Sequence, residues 1–238
     1  MRLGATVVAL PVIDPRPVAD APELDTAIRD LHTFDWLVFT SSHAVRHFLG
    51  RVALLGGSAV TGERPAVCAV GPGTAGDLGS AHVPVKLVPE IFNSEGIVAA
   101  LICLLGGRAR LRGLRVLLPR AREGRELLAL ELRAAGCEVT DVACYENARS
   151  EVDPEILDDL ERRPPDMIVF TSPSAVRSLA LQILGRGLNL PAAASAIAAL
   201  GPLTAACAER AGMPVAIVPA ENTIESLVDS IAGFYGAV

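Results

Sequence analysis

The chain has 238 residues, of which 51% are hydrophobic and 20% are charged, and its net charge is −6. This composition is typical of a globular protein with a large core and excludes a disordered chain, while the negative charge argues against a nucleic-acid-binding protein. The longest apolar run is about nine residues, at 97–105, whereas a membrane-spanning helix needs ~20.

The five cysteines are never spaced as CxxC, and the first residues lack the architecture of a signal peptide. We therefore expect a cytoplasmic protein with reduced cysteines, no membrane segment and no metal site. Seven arginines fall between Arg108 and Arg125. They form either a solvated surface or a patch that attracts anions.

The apolar pattern predicts strands that alternate with helices along most of the chain. The predicted strands are 6–10, 36–40, 66–70, 85–88, 115–118, 139–143, 167–171, 197–200 and 215–218. The predicted helices are 22–31, 44–54, 94–105, 124–135, 154–162, 175–184, 204–211 and 224–232, with a further helix starting at 74–78. Two linkers, 11–17 and 145–153, interrupt the alternation. The pattern predicts the α/β class, with doubly wound parallel sheets covered on both faces.

Two stretches of the sequence occur twice. LVFTSSHAV at 37–45 returns as IVFTSPSAV at 168–176, a shift of 131 between Phe39 and Phe170. VCAVGPGTAGDL at 67–78 returns as IAALGPLTAACA at 197–208, a shift of 130 between Gly71 and Gly201. Nearly equal shifts indicate an internal repeat and favour two domains.

Hydroxyl side chains and glycines follow four of the predicted strands, where the chain turns into the next helix. Helix N-termini bind anions, and ligands of open α/β sheets bind at the carboxyl ends of the strands. We therefore expect these turns to line one cleft between two domains and to bind a ligand with many carboxylates; ordinary helix capping is the alternative. The residues are Thr40, Ser41, Ser42, Gly71, Thr74, Thr171, Ser172, Ser174, Gly201 and Thr204.

Three further features each have a simple explanation beside a functional one. The segment 71–76 matches the dinucleotide pattern GxGxxG, but its repeat keeps only the first glycine, which argues against nicotinamide binding. His43 and His47, four residues apart on one helix, could be half of a metal site, but no carboxylate or cysteine partner is evident, and they are interpreted as a solvated helix face. Tyr145 aligns with Ile13 in the repeat, so the architecture does not require a tyrosine there. It is either a packing residue of the linker or a proton donor at the mouth of the cleft.

Taken in order, these motifs resemble those of the uroporphyrinogen-III synthase family from end to end of the chain. The matching segments are FTSSHAV, VGPGTA, VPEIFNSEGI, LLPRAREGRELLALEL, CYENAR, FTSPSAV, LGPLTA and VPAENTIESLV. The resemblance implies two flavodoxin-like lobes, 18–142 and 1–11 with 150–238, joined by a two-stranded extended hinge whose linkers are 12–17 and 143–149.

The resemblance also implies an activity, a lyase reaction of porphyrin and heme biosynthesis. The family cyclises hydroxymethylbilane, a linear tetrapyrrole with many carboxylates, to uroporphyrinogen III with loss of water and inversion of the last pyrrole ring. Tyr145 matches the family tyrosine and is expected to be the acid, while Arg120 and Arg125 of the LPRAREGR segment are expected to bind substrate. We expect the protein to need no cofactor and to be a monomer. The alternative is a catalytically silent or truncated two-lobe module that binds an anionic metabolite.

The repeat predicts one departure from the family. The counterpart of 115–132 would lie at −17 to 0, before Met1 (115 − 132 = −17), so the first repeat lacks its opening βα unit. We expect the lobe of 1–11 and 150–238 to lack one strand and one helix, and the chain to be poorly stable or inactive. The natural reading frame is expected to begin at least 18 residues upstream.

Overall fold

A computed structural model describes residues 4–57, 60, 64–124, 126–187 and 196–236. The chain divides into two compact units. We call Pro15–Asn147 the continuous unit, and Met1–Asp14 with Ala148–Val238 the discontinuous unit.

The described residues form an alternation of strands and α-helices. The strands are β1 (Ile13–Pro17), β2 (Trp36–Phe39), β3 (Ala66–Ala69), β4 (Arg115–Ala121), β5 (Glu138–Arg149), β6 (Met167–Phe170) and β7 (Ala196–Ala199). The helices are α1 (Pro22–Arg29), α2 (Ser42–Leu54), α3 (Pro72–Ser80), α4 (Ser94–Leu105), α5 (Leu127–Ala134), α6 (Pro154–Arg162), α7 (Pro173–Arg186), α8 (Pro202–Arg210) and α9 (Ile224–Phe234).

The continuous unit is built on a sheet with the order β1-β5-β4-β2-β3. Strand β2 pairs in parallel with both β3 and β4, and β4 pairs in parallel with β5. Strand β2 therefore lies between β3 and β4. A single parallel bridge from Cys68 to Leu87 adds an outer position beyond β3.

Both faces of this sheet carry a core, as expected for a parallel sheet with central strands such as β2, whose residues are all apolar. Leu37 and Phe39 of β2 pack on one face with residues of α1, α2 and α3. Trp36 and Val38, which alternate with them, pack on the other face with residues of α4 and α5. The prediction of a parallel α/β sheet is confirmed at this level.

The discontinuous unit has a smaller sheet, formed by the parallel pair β6 and β7. One face carries a core with residues of α6, α7 and α8. The other face carries only a small cluster of Ala198, Ile217 and Leu227. Val169 of β6 is 46% exposed, whereas Val38, its counterpart in the repeat, is fully buried. No described residues form a strand that pairs with β6 on the side away from β7.

Several predicted elements differ from the observed ones. The predicted strand 6–10 is wrong, because residues 5–10 belong to no strand and Val7 and Val8 are exposed. The repeat counterpart of residues 6–10 is β5, which pairs with β4. A strand needs a hydrogen-bonded neighbour, and no described residues of the discontinuous unit take the place that β4 has beside β5. The predicted strands 85–88 and 215–218 are reduced to single bridges, Cys68 to Leu87 and Ala198 to Ile217.

The two predicted linkers contain regular structure. Residues 13–17 form β1, and β5 continues through Tyr145 as far as Arg149, so that the two segments lie next to each other in the sheet. Paired strands satisfy each other's backbone hydrogen bonds, which no local sequence signal revealed. None of the described helices has the length and apolar character needed to cross a membrane.

Candidate functional site

Tyr145 lies on β5, beside the turn from β2 into α2. Ser41 caps α2: its Oγ accepts a hydrogen bond from the backbone N–H of Ala44 at 3.1 Å. The phenol oxygen of Tyr145 is 3.3 Å from the same Oγ. Tyr145 is 7% exposed, so the phenol is a largely buried side chain beside the N-terminus of α2.

The environment of Tyr145 favours its protonated form. Burial raises the pKa of the phenol, the Ser41 hydroxyl opposes this, and the nearby Cys144 and Glu123 raise the pKa further. Because the usual pKa of tyrosine is already ~10, the phenol carries its proton at neutral pH. It can therefore donate a proton or a hydrogen bond but cannot act as a base.

His43 and His47 complete this cluster, and their interpretation as a solvated face is wrong. The two histidines are one turn apart on α2, and both are partly buried. The His47 ring stacks on the Tyr145 ring, with centroids 5.4 Å apart and an interplanar angle of 17°. The His43 ring lies 5.8 Å away at 46°. Their spacing of four residues predicted a shared helix face, but which face packs on β5 depends on the tertiary structure.

The hydroxyl residues of the turns before α2 and α7 fall into two groups. Ser41 and Ser172 cap α2 and α7, and the Ser172 hydroxyl also lies 3.0 Å from that of Ser174. Thr40 and Thr171 precede these caps and are exposed.

The Gly-Pro turns before α3 and α8 are arranged differently. Gly71 and Gly201 occupy the cap positions of α3 and α8, without a side chain to cap the helix. Thr74 and Thr204 lie in the first turns of these helices and are buried. Ser42 is half-buried at the start of α2. Assignment of all these residues to substrate binding stays a prediction.

Arg120 is engaged within the protein. Its Nε donates to Asp141 on the neighbouring strand β5. One Nη donates to the carbonyls of Ala121, Arg122 and Gly124, so the guanidinium holds the turn that follows β4. These contacts favour a role in shaping the turn. Arg125, the other arginine assigned to substrate, lies outside the described residues.

The described residues contain no group of three His, Cys, Asp or Glu side chains arranged to hold a metal ion. Burial raises the pKa of Cys68 and of Cys144 to about 12, so neither is a thiolate at neutral pH.

Known proteins resemble this chain along most of its length. A family model described as uroporphyrinogen-III synthase HemD matches residues 1–229. A uroporphyrinogen-III synthase of Synechococcus elongatus is 30% identical over 236 residues, which cover 96% of this chain and 86% of that protein. One of Chlorobaculum parvum is 26% identical over 221 residues, covering 92% and 85%.

Two solved structures share the fold. A mutant uroporphyrinogen III synthase from the extremely thermophilic bacterium Thermus thermophilus aligns with a TM-score of 0.60 at 22% identity, covering 99% of this chain and 90% of that one. The uroporphyrinogen-III synthetase of Helicobacter pylori aligns with a TM-score of 0.60 at 18% identity, covering 98% and 97%.

Proposed function

This chain belongs to the uroporphyrinogen-III synthase family, and we propose that it cyclises hydroxymethylbilane to uroporphyrinogen III, with loss of water and inversion of the last pyrrole ring. The observation that carries the assignment to this chain is the place of Tyr145, the residue that matches the family tyrosine. Its side chain is buried, and its hydroxyl lies 3.3 Å from that of Ser41 at the N-terminus of α2.

In the proposed reaction Tyr145 is the general acid for loss of the substrate hydroxyl. The C–O bond of the hydroxymethyl group breaks while the phenol proton moves to the departing oxygen, which leaves as water. The proton released when the macrocycle closes restores the phenol. The raised pKa keeps Tyr145 protonated at neutral pH, and the Ser41 hydroxyl can donate a hydrogen bond to the transient phenolate.

We propose that the turns before α2 and α7 bind substrate carboxylates. Both turns present free backbone N–H groups at a helix N-terminus, which favours anions. The serines at the cap positions each accept a hydrogen bond from one backbone N–H of the helix. The exposed hydroxyls of Thr40 and Thr171 have no part in this capping and are available to a ligand.

The threonine assignment is tested by replacing both hydroxyls. Thr40→Val and Thr171→Val should each raise KM by roughly 10-fold or more, because a hydrogen bond to a charged group is worth ~1.5–3 kcal/mol. Ser80→Ala, at the exposed end of α3, is the matched control and should leave KM unchanged. Unchanged KM in both threonine variants would reject the turns as carboxylate sites.

We further propose that the two units are the two flavodoxin-like lobes of the family, joined by linkers that include Tyr145. The protein then acts as a cytoplasmic monomer, with no cofactor and with hydroxymethylbilane as its partner molecule. The oligomeric state is testable by sedimentation, in which a monomer gives the mass of a single chain, 24.8 kDa.

The function itself is tested by a coupled assay. Hydroxymethylbilane is supplied to the purified protein, and the ratio of type III to type I uroporphyrin is measured after oxidation. Spontaneous ring closure without inversion gives type I, so the expected result is an excess of type III. A ratio equal to that without protein would leave a silent module that binds an anionic metabolite.

A further inference from the structure

His43 and His47 pack against Tyr145 from one face of α2. The stacked ring of His47 and the tilted ring of His43 have their centroids 5.4 and 5.8 Å from that of the phenol ring. Two neighbouring rings restrict the rotation of the phenol about its own side-chain bonds. The position of the Tyr145 hydroxyl therefore depends on both histidines.

Two nitrogens of this pair have an unusual environment. Nδ1 of His43 and Nε2 of His47 have almost no exposed surface and no hydrogen-bond partner among the described residues. A buried nitrogen without a partner costs free energy that a phenylalanine in the same place would not cost. The two rings are therefore held against the phenol by packing and not by hydrogen bonds at these nitrogens.

The internal repeat offers a comparison within the molecule. A shift of 131 places Ser174 and Ser178 of α7 at the positions of His43 and His47, and Ile13 lies opposite Tyr145. The Ser178 hydroxyl donates to the carbonyl of Val12, next to Ile13, so α7 faces the corresponding segment of the chain. The histidine pair thus lies in the unit that holds the tyrosine, and serines replace it in the unit where isoleucine takes the place of the tyrosine.

Charged groups surround the cluster on the neighbouring elements. Arg46 on α2 and Asp77 on α3 act on His43 with opposite signs, and Arg46 also acts on His47. The backbone of Pro15 favours a protonated His47, and Glu123 acts on Tyr145. Burial has the largest effect and lowers the pKa of both histidines, so both rings are uncharged at neutral pH.

We propose that His43 and His47 are positioning residues for Tyr145, and that their imidazole rings hold the phenol with its hydroxyl towards Ser41. This inference rests on the proposed role of Tyr145 as the acid. Misplacement of an acid by about 1 Å can cost up to ~10²-fold in rate, so a loss of the ring contacts should be visible in kcat.

The experiment compares ring removal with ring replacement. His47→Ala should lower kcat about 10-fold with little change in KM, while His47→Phe, which keeps a stacking ring, should recover most of the rate. Gly50→Ala on the same helix is the control, because it is exposed and an added Cβ meets no atom within 4 Å. A kcat of His47→Ala equal to that of wild type would overturn the proposal.

A double-mutant cycle separates positioning from a general structural effect. In a Tyr145→Phe background, His47→Ala should change the remaining kcat by less than about twofold, because the hydroxyl that it positions is gone. An equal loss in both backgrounds would show that His47 acts independently of the Tyr145 hydroxyl and would overturn the proposal.

A titration of the phenol gives a readout that needs no activity. The absorbance of tyrosinate is followed against pH, and subtraction of the Tyr145→Phe protein isolates Tyr145 from Tyr235. His47→Ala should lower the pKa of Tyr145 towards ~10 as water enters, and His47→Phe should preserve it. An identical titration in all variants would overturn the positioning role. Absence of type III product from the wild type would instead reject the proposed function and leave this titration valid.

Discussion

At the scale of single residues, the environment of Tyr145 decides what its hydroxyl can do. The phenol is buried beside the cap residue Ser41 and packed against two imidazole rings. Burial disfavours the charged form of each side chain, which is the anion for tyrosine and the cation for histidine. It therefore raises the pKa of Tyr145 and lowers the pKa of both His43 and His47. The cluster is thus held in its uncharged state, with the exchangeable proton on the phenol.

Tyr145→Phe is expected to lower kcat by roughly 10²-fold while the fold is retained, since it removes the acid and keeps the ring. The measurement is type III uroporphyrin formation together with the thermal midpoint. Tyr235→Phe is the matched control: its hydroxyl donates to the carbonyl of Asp166 at the surface, and its loss should leave kcat unchanged. Equal rates for wild type and Tyr145→Phe would assign Tyr145 to packing.

The histidines are expected to make stability depend on pH. Their pKa values are lower in the folded protein than the ordinary ~6.5 of an unfolded chain. The unfolded state therefore binds more protons below this pH, so their contribution is complete above pH ~6.5 and is lost as the pH falls through the folded pKa values.

The measurement is the free energy of unfolding in urea between about pH 5 and pH 8. The double variant His43→Phe with His47→Phe should lose less stability than wild type as the pH falls below ~6.5. Parallel pH profiles for the two proteins would contradict the burial of these rings in solution.

At the scale of elements, the turn after β4 and the start of α4 each depend on one residue, Arg120 and Gly96. Arg120 ties the turn after β4 to three carbonyls and to Asp141, and Gly96 lets the first turn of α4 approach the preceding loop. The Gly96 N–H donates to the Oδ1 of the cap residue Asn93 at 2.8 Å, which fixes the helix start. Both turns follow strands or bridges of the continuous unit, so their shape is set by the sheet.

Gly96→Ala is expected to destabilise the protein by ~3 kcal/mol, because an added Cβ would overlap the backbone oxygen of Ile91. Gly76→Ala in α3 provides the contrast. It meets no atom within 4 Å and should stabilise the helix by ~0.5–1 kcal/mol. Urea midpoints followed by circular dichroism measure both changes, and a stable Gly96→Ala protein would refute the close approach.

At the scale of the whole molecule, the described residues of the two units form sheets of unequal size. In the continuous unit β2 has strands on both sides and helices on both faces. In the discontinuous unit β6 pairs with β7, and one face of the sheet has a small core. The expectation that the turns of both units line one cleft stays a prediction, which the threonine variants above address through KM.

The inequality of the two units predicts unequal effects of matched substitutions. Val38→Ala in β2 should cost ~2–3 kcal/mol, because it removes fully buried methyl groups and leaves a cavity. Val169→Ala, its repeat counterpart in β6, should cost less than ~1 kcal/mol because the side chain is 46% exposed. Thermal and urea midpoints measure the pair. A cost at Val169 as large as at Val38 would mean that the open side of β6 is covered in solution.

The sequence by itself determined the repeat, the α/β class and most helices and strands, because apolar runs, cap residues and glycine turns are local signals. It also singled out Tyr145, as a residue that the repeat does not require. The family resemblance already implied a two-stranded extended hinge, whereas the stacking of His43 and His47 on the phenol became visible only in the folded chain. Those contacts join residues about 100 positions apart, such as Ser41 and Tyr145, and no local pattern records which helix face or strand edge will meet its partner.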